Sequence, residues 1–204
     1  MASTLKTAAG EAVAADYGGV GEAPTYESIA ARIAACAPGE GWCVVAHSGA
    51  GGLAPAVLEA LDGAERLIFV DAILPHPQKT WFETAPPALV ERLRSRARGG
   101  MLPPWNAWFD DDPVALLLAD GGVRARFESE LPRLPLAWFE EKAPSLAAWK
   151  QLPCAYLQLS DAYRTQAAAA RANGWPVRRL DLNHLAMITH PDRVAAAILS
   201  LASE

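Results

Sequence analysis

Trp42-Cys43-Val44-Val45-Ala46-His47-Ser48-Gly49-Ala50-Gly51-Gly52-Leu53-Ala54-Pro55-Ala56-Val57-Leu58-Glu59-Ala60-Leu61 is the stretch that decides the fold. An apolar β-type run, 42–46, breaks at a serine flanked by small residues and passes into a helix-like segment. A strand–Ser–helix turn of this kind has the layout of a nucleophile elbow, in which the Ser sits on a strained turn and the residues two before and two after it must be small so that the backbones can approach. Ala46 and Ala50 stand here in place of the two Gly of the strict G-x-S-x-G pattern, a change the steric logic tolerates. The competing reading is a Gly-rich βα turn with an incidental Ser. The rest of the chain decides between them.

Outward from the elbow, strands alternate with helices. Glu11-Ala-Val-Ala-Ala15 reads as a short strand ended by Asp16-Tyr17-Gly18-Gly19, and Pro24-Thr25 opens a helix over Tyr26–Cys36 that Pro38-Gly39 stops. Arg66–Val70 is an all-apolar strand after its first residue, as expected for a parallel strand covered on both faces. Cys154–Leu159 and Val177–Leu182 are further strands, with the Ala-rich helix Thr165–Asn173 between them and a closing helix over Pro191–Ala202. Such alternation predicts an α/β fold: a mostly parallel sheet of about five or more strands with helices on both faces. Residues 74–150 break the rhythm with Trp81, Trp105, Trp108, Trp138 and Trp149, much of the Pro, and short helical pieces such as Ala88–Arg98. They read as a lid inserted over the strand ends of a single domain spanning 1–204, since ligands of open α/β sheets bind at the carboxyl ends of strands.

Composition narrows the function. With 204 residues, 51% of them hydrophobic, the chain can bury one substantial core. A net charge of −5 argues against nucleic acid or an anionic membrane surface as partner. No apolar run is long enough for a membrane span, and the N-terminus lacks the apolar region of a signal peptide, so a cytoplasmic protein is expected. Cys36, Cys43 and Cys154 lack metal-type spacing; Cys43 and Cys154 lie in strand-like runs, where Cys acts as a small buried hydrophobe.

A nucleophilic Ser48 needs a base and a carboxylate to orient it. Of the four histidines, His184 directly follows the last strand and points into the same crevice as an elbow Ser, which suits the base. His47 lies inside the elbow and aims away from Ser48, His190 beside Pro191 is a surface cap, and His76 is a candidate substrate contact. Two carboxylates lie at strand ends, Asp161 and Asp71, and the chain order Ser…Asp…His suits either. Asp181 within its strand and Asp62 at a helix end are expected to be solvated.

Ala46-His-Ser-Gly-Ala50, Phe69-Val-Asp-Ala72 with Pro75, Leu157-Gln-Leu-Ser-Asp161 and, above all, His184-Leu-Ala-Met-Ile-Thr-His-Pro-Asp-Arg-Val194 resemble the α/β-hydrolase superfamily. The chain looks like the small bacterial hydrolases related to its methylesterase and hydroxynitrile-lyase branch. The resemblance runs from about Glu11 to the end and implies Ser48 as nucleophile, His184 as base, Asp161 as orienter with Asp71 second, and the Gly49 N–H as one oxyanion donor. It implies neither cofactor nor metal. Family members carry several strands and a helix before the segment matching Ala12–Tyr17, where this chain has only about ten residues. One of those connecting loops supplies the second oxyanion N–H, and losing one donor costs about 10²–10³ in rate.

Two arrangements would fill the gap. Strand 11–16 moves beside the elbow strand and Gly18 and Gly19 supply the donors, or a second copy or partner chain completes the sheet edge. The resulting expectation is a hydrolase acting on an ester, thioester or lactone of a small hydrophobic or aromatic substrate, with Trp105 and Trp108 as lid residues facing it. The rival is a noncatalytic binding protein or partner subunit that lost its oxyanion hole. A lyase or cyclase using the same triad is a third reading, because fold does not fix chemistry.

Overall fold

Ser48 closes the first strand of a parallel sheet whose neighbouring strand is buried between helices. In this computed structural model, residues 12–15, 24–145 and 148–204 are described. Helix α1 (Tyr26–Ala35) starts at Thr25, whose side chain accepts from the Ser28 N–H in a capping box. It leads to β1 (Trp42–Ser48), a single 3-10 turn over Gly49–Gly52, α2 (Ala54–Ala60) and β2 (Ala64–Ala72).

The inserted segment follows. It contains α3 (Trp81–Thr84), α4 (Pro87–Arg96), β3 (Met101–Leu102), α5 (Pro113–Leu117), α6 (Gly121–Ser129), β4 (Leu134–Pro135) and α7 (Leu136–Glu140). The chain then returns to the sheet with β5 (Cys154–Gln158), α8 (Arg164–Ala172), β6 (Val177–Arg179), α9 (Ala186–Thr189) and α10 (Pro191–Ala202).

The main sheet has the order β1-β2-β5-β6, and its three pairings are parallel. Every crossover steps in the same direction, so right-handed connections place α2 and α8 on one face. The side chains agree with this. On β2, Leu67 and Phe69 pack with Ala54 of α2, Ala167 and Ala170 of α8, and Trp149. Ile68 and Val70 point the other way, onto Val194, Ala197, Ile198 and Leu201 of α10. All four β2 residues are completely buried, which explains the uninterrupted apolar run: a strand sandwiched between helices has no polar face. The inserted segment closes a separate aromatic core of Phe82, Leu93, Leu102, Trp108 and Phe139, with β3 and β4 pairing antiparallel beneath it.

Three expectations need correction. The sheet has four strands among the described residues rather than five or more. Ala12–Ala15 form no strand, and Glu11 lies outside the described residues. Three alanines and a 41%-exposed Val13 offer too little apolar area to hold an edge position, and among the described residues β1 pairs with β2 alone. Cys43 is exposed on that edge strand, whereas Cys154, at the start of β5, is buried as expected.

Candidate active site

The elbow is built by strain at one residue and crowding at two others. Ser48 adopts φ 57°, ψ −128°, a backbone conformation that L-residues seldom hold without a surrounding structure that enforces it. The Ile73 N–H donates to the Ser48 carbonyl at 3.1 Å and anchors the turn to the end of β2. A Cβ on Gly51 would lie 1.9 Å from the Ile73 carbonyl oxygen, and one on Gly52 would lie 2.8 Å from the His76 ring. The requirement for a small residue after the serine therefore falls on Gly51 and Gly52, because Ala50 is exposed. Before the serine it falls on Ala46, which is buried, as the motif requires.

Ser48 Oγ lies 3.0 Å from His184 Nε2, and His184 Nδ1 lies 2.9 Å from Asp71 Oδ2. Asp71, the penultimate residue of β2, has φ 43° and is completely buried. The adjoining backbone is pinned by Tyr156, whose hydroxyl donates to the Ala72 carbonyl at 2.8 Å and accepts the Ala72 N–H at 3.0 Å. Asp71 Oδ1 accepts the N–H groups of Leu159 (2.8 Å) and Ser160 (3.0 Å), while Oδ2 accepts the Ser160 hydroxyl (2.6 Å) beside His184. Burial pushes this carboxyl upward, but the bonds from His184, Ser160 and the two backbone donors outweigh it and hold the acid below its ordinary range.

His184 sits on the loop after β6. Asn183 braces that loop by donating from Nδ2 to the Leu117 carbonyl at 3.0 Å and accepting the Leu185 N–H on Oδ1 at 2.9 Å. The His184 ring is flanked on two sides. Tyr163 stacks parallel to it at 5.0 Å and 9°, and His47 lies 4.5 Å away, tilted by 32°. His47 donates from Nε2 to the His184 carbonyl at 3.0 Å. Its pKa is lowered to about 4 by burial and by the nearby His184, despite its bond to that carbonyl and the pull of Asp71. A neutral His47 can buttress His184 without placing a second charge beside it.

The remaining sequence candidates separate clearly. Asp161 does not reach His184: it is exposed on the turn before α8, where Arg164 and Arg179 each approach it at 3.1 Å and hold its carboxyl below the ordinary range. Those two guanidinium groups are the physical reason it turns outward, and Asp71 fills the orienting position instead. Trp105 lies 6.0 Å from the His184 ring. Trp108 does not line the site; it is buried in the aromatic core of the insertion, edge-on to Phe139 at 5.5 Å, with its indole N–H on the Pro103 carbonyl.

His76 is buried behind the elbow with Nε2 3.2 Å from the Tyr26 hydroxyl, and forms one wall of a shallow recess beside Gly49 shared with Leu53, Trp81 and Trp138. His190 is exposed and bonds Thr189, and Asp181 lies past the end of β6, paired with Arg179 at the surface. Gly18 and Gly19 lie outside the described residues. Tyr163, whose hydroxyl is 3.2 Å from Ser48 Oγ, and the support from His47 were missed by the sequence reading. The only sequence hint of Tyr163 is an aromatic residue directly behind a strand-end turn.

Among the described residues no group of three or more His, Cys, Asp or Glu could hold a metal ion, and no helix is long and apolar enough to cross a membrane. Ser48 on its strained strand–helix turn is thus connected by hydrogen bonds through His184 to the buried Asp71, at the carboxyl ends of the parallel strands. The chain belongs to the Alpha/beta hydrolase family, whose model matches residues 7–197.

No curated protein matches the chain at a significant level. Solved structures do. One is an extracellular α/β-hydrolase from a Paenibacillus species, described as sharing structural and functional homology with tobacco Salicylic Acid Binding Protein 2. It is 19% identical with a TM-score of 0.77, over 98% of this chain and 90% of its own. A pyrethroid hydrolase from Sphingobium faniae JZ-2 is 18% identical with a TM-score of 0.69, over 99% and 90%. A bromoperoxidase from Bacillus anthracis is 14% identical with a TM-score of 0.53, over 94% and 77%. At these identities the likeness is one of fold.

Proposed function

We propose that this protein is a serine hydrolase that cleaves an ester, thioester or lactone of a small apolar or aromatic substrate through an acyl-Ser48 intermediate. The observation that carries the reading is the unbroken line Ser48 Oγ–His184 Nε2, His184 Nδ1–Asp71 on a turn strained at the serine. Asp71 accepts from Nδ1, so Nε2 is left free to receive the Ser48 proton as Oγ attacks the carbonyl carbon. The imidazolium so formed is supported by the Asp71 charge, then gives its proton to the leaving oxygen or sulfur. A water deprotonated by His184 releases the acid and restores Ser48.

The Gly49 N–H directly follows the nucleophile and is positioned in sequence to meet the oxyanion. Trp105 near His184 and the recess of Tyr26, Leu53, Trp81 and Trp138 beside Gly49 support an apolar or aromatic substrate. Two of the structural neighbours are described as hydrolases, in keeping with hydrolysis as the reaction class.

The test is a panel of p-nitrophenyl esters and thioesters with acyl groups from acetyl to phenylacetyl, followed by product release. Wild-type turnover on the short or aromatic members, abolished in Ser48→Ala, is expected. Turnover that survives in Ser48→Ala overturns the reading, as does a folded wild type inert on every member.

A further inference from the structure

We propose that the Tyr163 hydroxyl is a catalytic hydrogen-bond donor to the oxyanion formed at Ser48, acting together with the Gly49 N–H. The inference rests on Ser48 being the nucleophile. Tyr163 lies on the single turn Asp161–Tyr163 between β5 and α8. Its hydroxyl is 3.2 Å from Ser48 Oγ. Ser48 Oγ directs its own proton to His184 Nε2 at 3.0 Å, so at that oxygen the phenol is the donor. The ring is fixed by parallel stacking on His184, and burial raises the phenol above its ordinary value more than the Ser48 bond lowers it. Tyr163 therefore remains protonated through the range in which a histidine base works.

During attack, the Oγ–carbon bond forms, the carbonyl π pair moves onto oxygen, and the Ser48 proton moves to His184. The new oxyanion hangs on the same carbon as Oγ and is by far the stronger acceptor. The Tyr163 O–H turns from Oγ to this oxygen by rotation about its own C–O bond, with no proton transferred and no movement of the ring. When the intermediate collapses, the electron pair returns to the carbonyl, the leaving group departs with the proton from His184, and the phenol returns to Oγ. A donor that binds a neutral oxygen in the resting enzyme and an anionic one at the transition state lowers the barrier by the difference.

The test is Tyr163→Phe, which keeps the stacked ring and removes the hydroxyl, read by ester turnover and by fluorine NMR of the Ser48 hemiketal formed with trifluoroacetophenone. A fall in kcat of about 10²–10³ with KM little changed is expected. The pKa of the hemiketal oxyanion should rise by about two units, a shift that loss of packing alone does not produce. Replacing Tyr163 with 3-fluorotyrosine, a more acidic phenol of nearly the same shape, should move that pKa down. The proposal is overturned if the wild type forms the hemiketal while neither replacement shifts its pKa and kcat of Tyr163→Phe is unchanged. A wild type that forms no hemiketal and turns over no ester removes the nucleophile itself, and this inference falls with it.

Discussion

Asp71→Asn changes a single functional atom, and the hydrogen bonds around it dictate how the amide must sit. Oδ1 accepts two backbone N–H groups, from Leu159 and Ser160, which cannot turn away. The amide oxygen is therefore held at that position, and the amide NH₂ takes the place of Oδ2, facing the Ser160 hydroxyl and His184 Nδ1. Ser160 can reverse its hydroxyl and accept. His184 can accept only as the Nε2–H tautomer, which presents a proton to Ser48 where a lone pair is needed. A Ser–His–Asp site locked in the wrong tautomer loses about 10⁴ in kcat, or about 5 kcal/mol of transition-state stabilisation.

Asp161→Asn, by contrast, touches only exposed ion pairs and should leave turnover unchanged. The assay is turnover of the best p-nitrophenyl ester by both variants, with circular dichroism confirming the fold. If Asp161→Asn shows the large loss, or Asp71→Asn stays within tenfold of wild type, the tautomer argument is wrong.

Other consequences can be measured on the same preparations. His47 is held to about 4 in the folded protein against an ordinary 6.5, so the unfolded chain binds a proton between those values that the folded chain lacks. Stability present above 6.5 should therefore be lost as the pH falls toward 4, by up to about 3 kcal/mol. In His47→Gln, urea unfolding across that window should show a correspondingly smaller loss; an unchanged slope would remove His47 from the account. Gly51→Ala drives a Cβ into the Ile73 carbonyl and should cost about 3 kcal/mol, whereas Gly49→Ala meets open space and should leave Tm unchanged. Trp108→Ala should destabilise the insertion by about 3–5 kcal/mol, while Trp105→Ala should act mainly on KM for aromatic esters. The reverse assignment would show that the indole nearer His184 is structural.

What was legible in the chain was what local chemistry dictates. The break from an apolar run into Ser48 and small residues marked the elbow, and the unrelieved apolarity of 67–70 marked a strand covered on both faces. The position of His184 after the last strand-like run pointed toward the crevice of Ser48, although the strand itself stops at Arg179 and a loop carries the histidine to Ser48. The acid was assigned less well, because Asp71 and Asp161 look alike from the sequence: each follows an apolar strand. Distant partners separate them. Arg179 and Arg164 hold Asp161 at the surface, while the donors of Leu159 and Ser160 and the Tyr156 clamp on Ala72 draw the β2 end inward.

The placement of Tyr163 and His47 on either side of the His184 ring is likewise a product of packing between elements far apart in the chain. Ala12–Ala15 was misread because a short Ala-rich run can look strand-like without having the side-chain area to hold a strand in place. Trp105 and Trp108 sit three residues apart and share a composition, yet one approaches the site and the other fills the core of the insertion.

The central claim is that Ser48 is a nucleophile activated through His184 and Asp71. A fluorophosphonate probe, with the labelled peptide mapped by mass spectrometry, tests it most directly. The account predicts stoichiometric labelling at Ser48, absent in Ser48→Ala and slowed strongly in both His184→Ala and Asp71→Asn. A folded wild type that takes up no probe, or labels at another residue, would contradict it.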